Sequence, residues 1–461
     1  MKIAICGGTL SGLTLSRLLG TRTTHSIDLH SALNDPARPI HRPHPLCEYG
    51  SLSFPIRDDA ISSIQEEINL WNKRGHINIQ SPERLQIFNS VTTSFKDLPS
   101  EGVTRFQPNS GFFKLIQSLK KELPSSVKIQ EEQLAGMAKK IDGWHLQTID
   151  NAASLGPYDL ILFAYDASPR ASRKASYKQL LERGLPESSS VISSLVRAVS
   201  ASTMTVIVSF NPPLDTTFDS LRVEGIPELR FATRNSRDDA VLRGIKQKKG
   251  DDVWTLVATP EWSQNVRGSH KGKWNKQKVG QDIVSAFGKT VGRSDLVGCY
   301  RTVVPTFHWQ GASLLTQLVD SELPFAFDPS TGLGFCGDNF GGQGVEGALK
   351  SSIAMAKHIK DSLDTPQLPN TKDAWKYREA QKYDDDTNSI SGHCIGRNDP
   401  NDGFDHTWPT AVDIANGKDV QAADSMAKYR KRSGNGQRKK KGAPTPRRRN
   451  ASKQPQSGKQ S

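Results

Sequence analysis

A short apolar run followed by a glycine-rich turn occurs twice in the sequence, at residues 2–12 and at residues 332–344. The mostly apolar segment Lys2–Cys6 precedes a turn at residues 7–12, and leucines then follow at positions 13, 15, 18 and 19. A short apolar run predicts a buried strand, and this leucine spacing predicts one face of a helix. The sequence therefore predicts a strand, a turn and a helix that start at residue 2.

The same order recurs late in the chain, where an apolar run at residues 332–336 precedes a glycine-dense turn at 337–344 and a helical pattern at 345–359. A carboxylate after a strand can accept hydrogen bonds from a sugar hydroxyl, and glycines let backbone N–H groups at a helix N-terminus approach an anion. The pattern suits a ligand with both polyol and phosphate groups. An ordinary Gly-Asp turn is the alternative.

The first turn matches two of the three glycines of the dinucleotide fingerprint G-x-G-x-x-G. Gly7 takes the first position and Gly12 the third, but Thr9 stands at the second, where the backbone approaches the pyrophosphate. Two arrangements would preserve the site. The Thr9 hydroxyl could bond a phosphate oxygen, or Gly8 could take the role of the missing glycine.

The next predicted strand, Ser26–His30, ends where the fingerprint expects an acidic residue for ribose, roughly twenty residues past the glycines. His30 occupies that place. Asp28 is close, but a residue one or three places from it points to the opposite face. A neutral His30 could hydrogen-bond a hydroxyl, and a surface residue at a strand end is the alternative.

Further periodic segments fill the chain up to about residue 360. The apolar run 158–164 predicts a strand, and residues 373–382 predict one more helix. Residues 34–46, with four prolines, predict a loop.

Composition changes this picture mainly at the carboxyl end. The 461 residues suggest two or three domains, and a hydrophobic content of 35% with a mean hydropathy of −0.54 predicts that part of the chain does not fold. Of the 61 Lys and Arg residues, 13 lie in residues 428–461, where no Asp or Glu occurs. The formal charge of +13 therefore belongs to this tail.

The basic tail is typical of two binding roles, and a third interpretation gives it no specific partner. Its three basic clusters suit an import receptor or the phosphate backbone of a nucleic acid, without base specificity. A solubilising tail is the alternative. The five cysteines are widely spaced and suggest neither a disulfide framework nor a metal site. With no apolar run long enough for a signal or a spanning helix, we expect a soluble cytoplasmic protein that could also enter the nucleus.

Several segments in order resemble the renalase-like branch of the FAD-dependent amine oxidase family, a group of NAD(P)- and FAD-dependent oxidoreductases. The resemblance covers about residues 1–360 and is strongest at 333–348. Besides the two turns, it rests on residues 48–58, 106–112, 127–129, Leu134 with Gly143-Trp144, 158–167, 203–210 and 307–309. It implies helices over residues 61–71 and 113–123 and a strand over 203–210. The family's Gly-Gly-Arg after the second strand is absent, and residues 35–39 stand in its place.

This resemblance implies an α/β fold, a Rossmann-like FAD-binding domain of the two-dinucleotide-binding-domain type with an inserted α+β substrate domain and a disordered carboxyl-terminal extension. The implied boundaries are 1–56, 106–170 and 327–362 for the FAD-binding domain, 57–105 and 171–326 for the substrate domain, and 363–461 for the extension.

It also implies extended FAD as cofactor and hydride transfer from a small planar or amine-type substrate to the flavin, with dioxygen as the candidate acceptor. The cofactor contacts expected from the turns and the resemblance are Gly7, Thr9, Ser11, Gly12, His30, Leu134, Gly337, Asp338 and Val345. The candidate substrate walls are Tyr49, Phe54, Trp309 and Phe340, with ordinary core packing as the alternative for each.

No catalytic residue can be named, because the flavin supplies the chemistry. Arg57 and Asp58 are expected to form an ion pair at a helix start, with Asp58 as the cap. Two other classes remain open. The altered Thr9 and His30 favour a catalytically silent flavoprotein fold that acts as a binding module, and an NAD(P)-only dehydrogenase is the third reading.

Overall fold

The computed structural model describes the greater part of the chain up to residue 379. The described residues are 1–22, 25–31, 53–80, 84–97, 102–109, 111–131, 134–148, 154–164, 200–235, 252–269, 274–314, 316–319, 323–328, 331–342, 344–363 and 376–379. Tyr49, the loop predicted at 34–46 and the basic tail at 428–461 lie outside them, so the expectations for these segments stay predictions.

Strands outnumber helices in the described residues. The strands are β1 (Lys2–Cys6), β2 (Ser26–His30), β3 (Phe54–Arg57), β4 (Ile77–Ile79), β5 (Leu85–Asn89), β6 (Ser94–Asp97), β7 (Val103–Pro108), β8 (Val127–Gln130), β9 (Leu134–Lys140), β10 (Gly143–Thr148), β11 (Ser154–Tyr158), β12 (Leu160–Ala164), β13 (Ser200–Phe210), β14 (Ser220–Glu224), β15 (Phe231–Arg234), β16 (Asp252–Val257), β17 (Tyr300–Leu314), β18 (Thr316–Val319), β19 (Ala326–Asp328), β20 (Leu333–Cys336) and β21 (Lys376–Glu379). The helices are α1 (Leu10–Arg22), α2 (Ser62–Lys73), α3 (Gly111–Lys121), α4 (Pro260–Ser269), α5 (Lys276–Thr290), α6 (Leu296–Cys299), α7 (Asp338–Gly341) and α8 (Gly344–Leu363).

A six-stranded sheet in the order β19-β20-β12-β1-β2-β8 carries both glycine turns. All of its neighbouring strands pair in parallel except β19, which runs antiparallel to β20. The central strands are almost entirely buried, which explains why they are read in the sequence as apolar runs without alternation. The predicted α/β class with a parallel sheet is confirmed.

The two faces of this sheet are covered differently. On one face, Ile5, Leu29 and Leu162 pack with leucines of α1 and with α8. On the other face, Cys6 and Phe163 pack against the three-stranded antiparallel sheet β11-β10-β9, which contributes the fully buried Trp144. Strand alternation thus places helices on one side and a small sheet on the other.

A second large sheet has seven strands in the order β17-β13-β16-β15-β14-β5-β6, and its pairs are antiparallel except β14 with β5. Its apolar face packs on α5 through Trp254 and Phe287, whose ring centroids lie 5.1 Å apart. The two large sheets alternate along the chain, and the domain boundaries given above remain predictions.

Two smaller sheets complete the described fold. Strands β3, β7 and β4 pack with α2, where Phe54 and Trp71 are buried in the cluster that also holds α1. Strand β21 pairs antiparallel with β18. The helix predicted over residues 373–382 is therefore wrong, because pairing with a distant segment decides the conformation of Lys376–Glu379.

The described helices include none that is both long and apolar enough to cross a membrane. Within the residues that the structure describes, no group of three or more His, Cys, Asp or Glu side chains is placed to bind a metal ion.

Candidate functional site

The two glycine turns lie side by side at the carboxyl edge of the parallel sheet. Strands β1 and β20 both pair with β12, in the register Cys6 with Phe163 and Cys336 with Ala164. The helices that follow the turns also touch, since the buried Ser11 Oγ donates to the Ala348 carbonyl oxygen at 3.4 Å. The fold therefore brings together two segments that are more than 300 residues apart in sequence.

The glycines of the first turn are required by close backbone contacts. Gly7 has a φ of +135°, and a Cβ there would lie 1.9 Å from the Ala164 carbonyl oxygen. A Cβ at Gly12 would lie 1.7 Å from the Gly7 carbonyl oxygen. The first and third fingerprint glycines thus permit the turn and the close approach of α1 to β1.

Thr9, at the altered second position, is half-buried, and its hydroxyl donates to the Ala164 carbonyl oxygen at 3.4 Å. A hydroxyl has a single hydrogen, so it cannot donate to a phosphate at the same time. In this structure the phosphate contacts would fall to the backbone N–H groups at the start of α1. Gly8 packs on Ser31, the residue after β2, since a Cβ at Gly8 would lie 2.3 Å from Ser31 Oγ.

The second turn, which includes the short helix α7, repeats the close contact between two glycines five residues apart. Gly337 and Gly342 have φ values of +137° and +112°. A Cβ at Gly347 would lie 1.5 Å from the Gly342 carbonyl oxygen, just as Gly12 approaches Gly7 five residues before it. The backbone N–H of Gly337 donates to Ser351 Oγ at 2.9 Å, a contact that the sequence analysis missed.

The other residues expected to contact the cofactor, Asp338, Val345 and Leu134, are buried. Asp338 begins the short helix α7 and is 6% exposed, and Val345 lies in the first turn of α8 at 9% exposure. Leu134, at the start of β9, is buried in the apolar cluster on the face of the sheet opposite to α8. Their roles toward a cofactor remain predictions.

His30 ends β2 beside the first turn, where its carbonyl oxygen accepts the Gly7 N–H at 3.0 Å. The side chain is 2% exposed. Its Nε2 lies 3.2 Å from Tyr158 Oη, which donates to Asp28 Oδ2 at 2.9 Å. Burial lowers the pKa of His30 to about 4, with opposing influences from Asp28 and Lys2, so the ring is neutral at neutral pH.

The alternative that His30 is a surface residue is thus excluded by its burial. The sequence analysis missed the contact with Tyr158, for which no local signal exists because Tyr158 lies 128 residues from His30. The buried Nδ1 of His30 has no hydrogen-bond partner among the described residues.

Arg57 contacts the start of α8 instead of its own neighbour Asp58. Its backbone N–H and its Nε donate to the Glu346 carboxylate at 2.9 and 2.8 Å. Asp58 accepts from Thr104 Oγ1 at 2.9 Å, and the N-cap of α2 is Ile61 without a side-chain hydrogen bond. The predicted Arg57–Asp58 pair and cap are therefore wrong.

The candidate substrate walls do not form one described surface. Phe54 is 1% exposed and stacks on Phe106 with centroids 6.0 Å apart, in the cluster on the α8 side. Phe340 is 4% exposed in the cluster on the opposite face. Trp309 lies on β17 with its backbone alone described. Their substrate roles remain predictions.

Comparisons with known proteins bear on this architecture. No protein family model and no curated protein matches the chain. An oxidoreductase from Methanosarcina mazei superimposes with a TM-score of 0.53 at 13% identity, over 77% of this chain and 100% of that chain. The two proteins therefore share a fold.

Two further solved structures match at lower TM-scores. One is p-nitrophenol 4-monooxygenase from Pseudomonas putida, with a TM-score of 0.47 and 12% identity over 79% of this chain and 80% of that chain. The other is a protein assigned as an FAD-containing monooxygenase from Photorhabdus luminescens. It matches with a TM-score of 0.47 and 12% identity, over 81% of this chain and 91% of that chain.

Proposed function

We propose that this chain is an FAD-dependent oxidoreductase that binds the cofactor in an extended form along the carboxyl edge of the parallel sheet. The observation that carries the proposal is the juxtaposition of two turns with the same glycine spacing, each opening a helix at that edge. One turn alone would hold one phosphate group. Two turns side by side suit a ligand with two ends.

The residues of the first turn would hold the pyrophosphate and the adenosine. The start of α1 directs backbone N–H groups and the positive end of its dipole toward the edge of the sheet, and its first turn contains no acidic residue. Gly7 and Gly12 keep that approach open. His30 ends the neighbouring strand, beside this turn.

The residues of the second turn would hold the polyol chain and the flavin end. Asp338 supplies a carboxylate that can accept hydrogen bonds from hydroxyl groups, and α8 supplies a second helix N-terminus. The Glu346 carboxylate is held by Arg57, so the start of α8 is fixed to β3.

FAD, when bound, would take a hydride from the substrate and pass two electrons to an acceptor, for which dioxygen with release of hydrogen peroxide is our candidate. By its sequence resemblance we assign the chain to the renalase-like type, with a small planar or amine-type substrate. The protein would orient the substrate and exclude water.

The test is titration of the full-length, flavin-free chain with FAD, followed by flavin absorbance and fluorescence. We expect binding, and Asp338→Asn should weaken it about tenfold, because hydrogen bonds to charged groups contribute about 1.5–3 kcal/mol. Asp361→Asn, at the far end of α8, is the matched control and should bind as the wild type does. A colourless protein that takes up no FAD would leave the silent fold as the better reading.

A further inference from the structure

Two side chains of β2, Asp28 and His30, and one side chain of β11 in the neighbouring sheet, Tyr158, form a buried series of hydrogen bonds that ends at His30. Asp28 Oδ2 lies 3.6 Å from Lys2 Nζ and accepts the Tyr158 hydroxyl at 2.9 Å. Tyr158 Oη in turn lies 3.2 Å from His30 Nε2, and the two rings meet edge to face at 87°. All three residues are less than 5% exposed.

The direction of these hydrogen bonds fixes which atoms carry the protons. The Asp28 carboxylate, paired with the Lys2 ammonium, can only accept, so the single Tyr158 hydroxyl hydrogen is used there. The Tyr158 oxygen is then an acceptor toward His30, and Nε2 must carry the imidazole hydrogen. In a neutral imidazole the other nitrogen is an acceptor. Nδ1 of His30 is therefore a hydrogen-bond acceptor.

This acceptor is buried and has no partner within the described part of the chain. An unmade hydrogen bond at a buried polar atom costs free energy, so such an atom calls for a donor. The ring is at the carboxyl end of β2, whose last residue pairs with Cys6 immediately before the first turn. A donor at this place would lie beside whatever the first turn binds.

We propose that His30 Nδ1 accepts a hydrogen bond from a ribose hydroxyl on the adenosine side of the cofactor, and that Tyr158 and Asp28 are positioning residues that hold the ring in the Nε2–H form. The inference rests on the proposed FAD site. An uncharged acceptor takes the place where the fingerprint expects a carboxylate. It can accept one hydrogen bond instead of several, so the hydroxyl that it binds should be a single, identifiable one.

The test compares ADP with 2′-deoxy-ADP and 3′-deoxy-ADP as probes of the flavin-free, full-length chain, by calorimetry. We expect one of the two deoxy analogues to bind about fivefold more weakly than ADP, the loss typical of one neutral hydrogen bond. His30→Phe should remove this difference and should bind all three nucleotides alike. Tyr158→Phe should reduce it, because the ring loses its tautomer constraint, while Tyr300→Phe on β17 is the matched control and should retain it.

A second readout needs no ligand. Nitrogen NMR of the histidine-labelled chain, with His30 assigned by its loss in His30→Phe, should show an unprotonated Nδ1 in the wild type and a mixture of tautomers in Tyr158→Phe. A protonated Nδ1 in the wild type would overturn the inference. So would equal binding of ADP and both deoxy analogues by a chain that binds FAD, a result that leaves the proposed function intact. Failure to bind FAD at all would remove the proposed function and this inference together.

Discussion

The two glycine turns share one spacing of glycines but have different side-chain surroundings. In both, a glycine with positive φ is followed five residues later by a helical glycine whose absent Cβ makes room for a carbonyl oxygen. Around the first turn lie the neutral His30 and the hydroxyl of Thr9, which is bonded back to Ala164. Around the second lie the carboxylates of Asp338 and Glu346.

This difference indicates a division of roles. The glycine spacing sets how closely each helix approaches its strand, and that is a property of the backbone alone. The neighbouring side chains then decide what each turn can bind. A neutral acceptor suits a ribose, and a carboxylate suits a chain of hydroxyl groups, so the two turns would bind different ends of one ligand.

The largest effects are expected where the shared backbone geometry is broken. Gly347→Ala and Gly12→Ala would each place a Cβ within 2 Å of a carbonyl oxygen, at 1.5 and 1.7 Å. We expect each to lower the free energy of unfolding by about 4 kcal/mol or more, measured by urea denaturation, because the backbone must move apart. Gly298→Ala is the control, since nothing lies within 4 Å of its Cβ position. Similar small effects at all three positions would show that the turns do not need their glycines.

The next largest effect is a pH dependence of the free energy of unfolding, which His30 beside the first turn should cause. Because the folded chain holds His30 with a pKa of about 4, against an ordinary 6.5, the unfolded state binds a proton in this window that the folded state does not. Stability therefore falls as the pH drops from 6.5 to 4. We expect wild type to lose about 3 kcal/mol more than His30→Phe over that range, in urea denaturation at several pH values. Parallel pH profiles would contradict a buried neutral imidazole.

A smaller effect is expected from the ion pair between Arg57 and Glu346 at the second turn. Glu346→Gln should lower the free energy of unfolding by about 1–2 kcal/mol, because the buried side chain loses the charge that pairs with Arg57. The effect stays small because the Arg57 side chain is 42% exposed and remains in contact with water. Asp295→Asn breaks a similar two-point contact with Arg293, but both partners are exposed, so no measurable change is expected there. Equal effects for the two variants would mean that burial of Glu346 adds nothing.

The smallest effect concerns Thr9. Thr9→Val removes the hydrogen bond to Ala164, so the free energy of unfolding should fall by about 1 kcal/mol while FAD affinity changes less than about threefold. Titration with FAD beside urea denaturation separates the two quantities. A tenfold loss of FAD affinity at unchanged stability would show that the hydroxyl serves the ligand.

Local sequence patterns predicted the elements of the site well. The strands Lys2–Cys6 and Ser26–His30 have the predicted bounds, and α2 and α3 lie within two residues of the bounds that the family resemblance implied. Buried parallel strands and glycine turns leave their signal in a few consecutive residues, so they can be predicted without knowing the rest of the fold.

Contacts between distant segments could not be predicted. Tyr158 reaches His30 across 128 residues, and Arg57 reaches Glu346 across 289. No local pattern selects such partners, because a nearby Asp58 offered Arg57 an equally suitable charge. Pairing of β21 with β18 likewise depends on a strand that lies far away in sequence. The sequence thus identified the candidate turns, while the fold determined their side-chain environments.

The most direct test of the account is the stoichiometry of FAD binding with competition by its two halves. If both turns bind one extended nucleotide, calorimetry should give one FAD per chain, and both ADP and FMN should compete with it. Two FAD molecules per chain, or FAD binding that is unaffected by saturating ADP, would contradict a single ligand shared by the two turns.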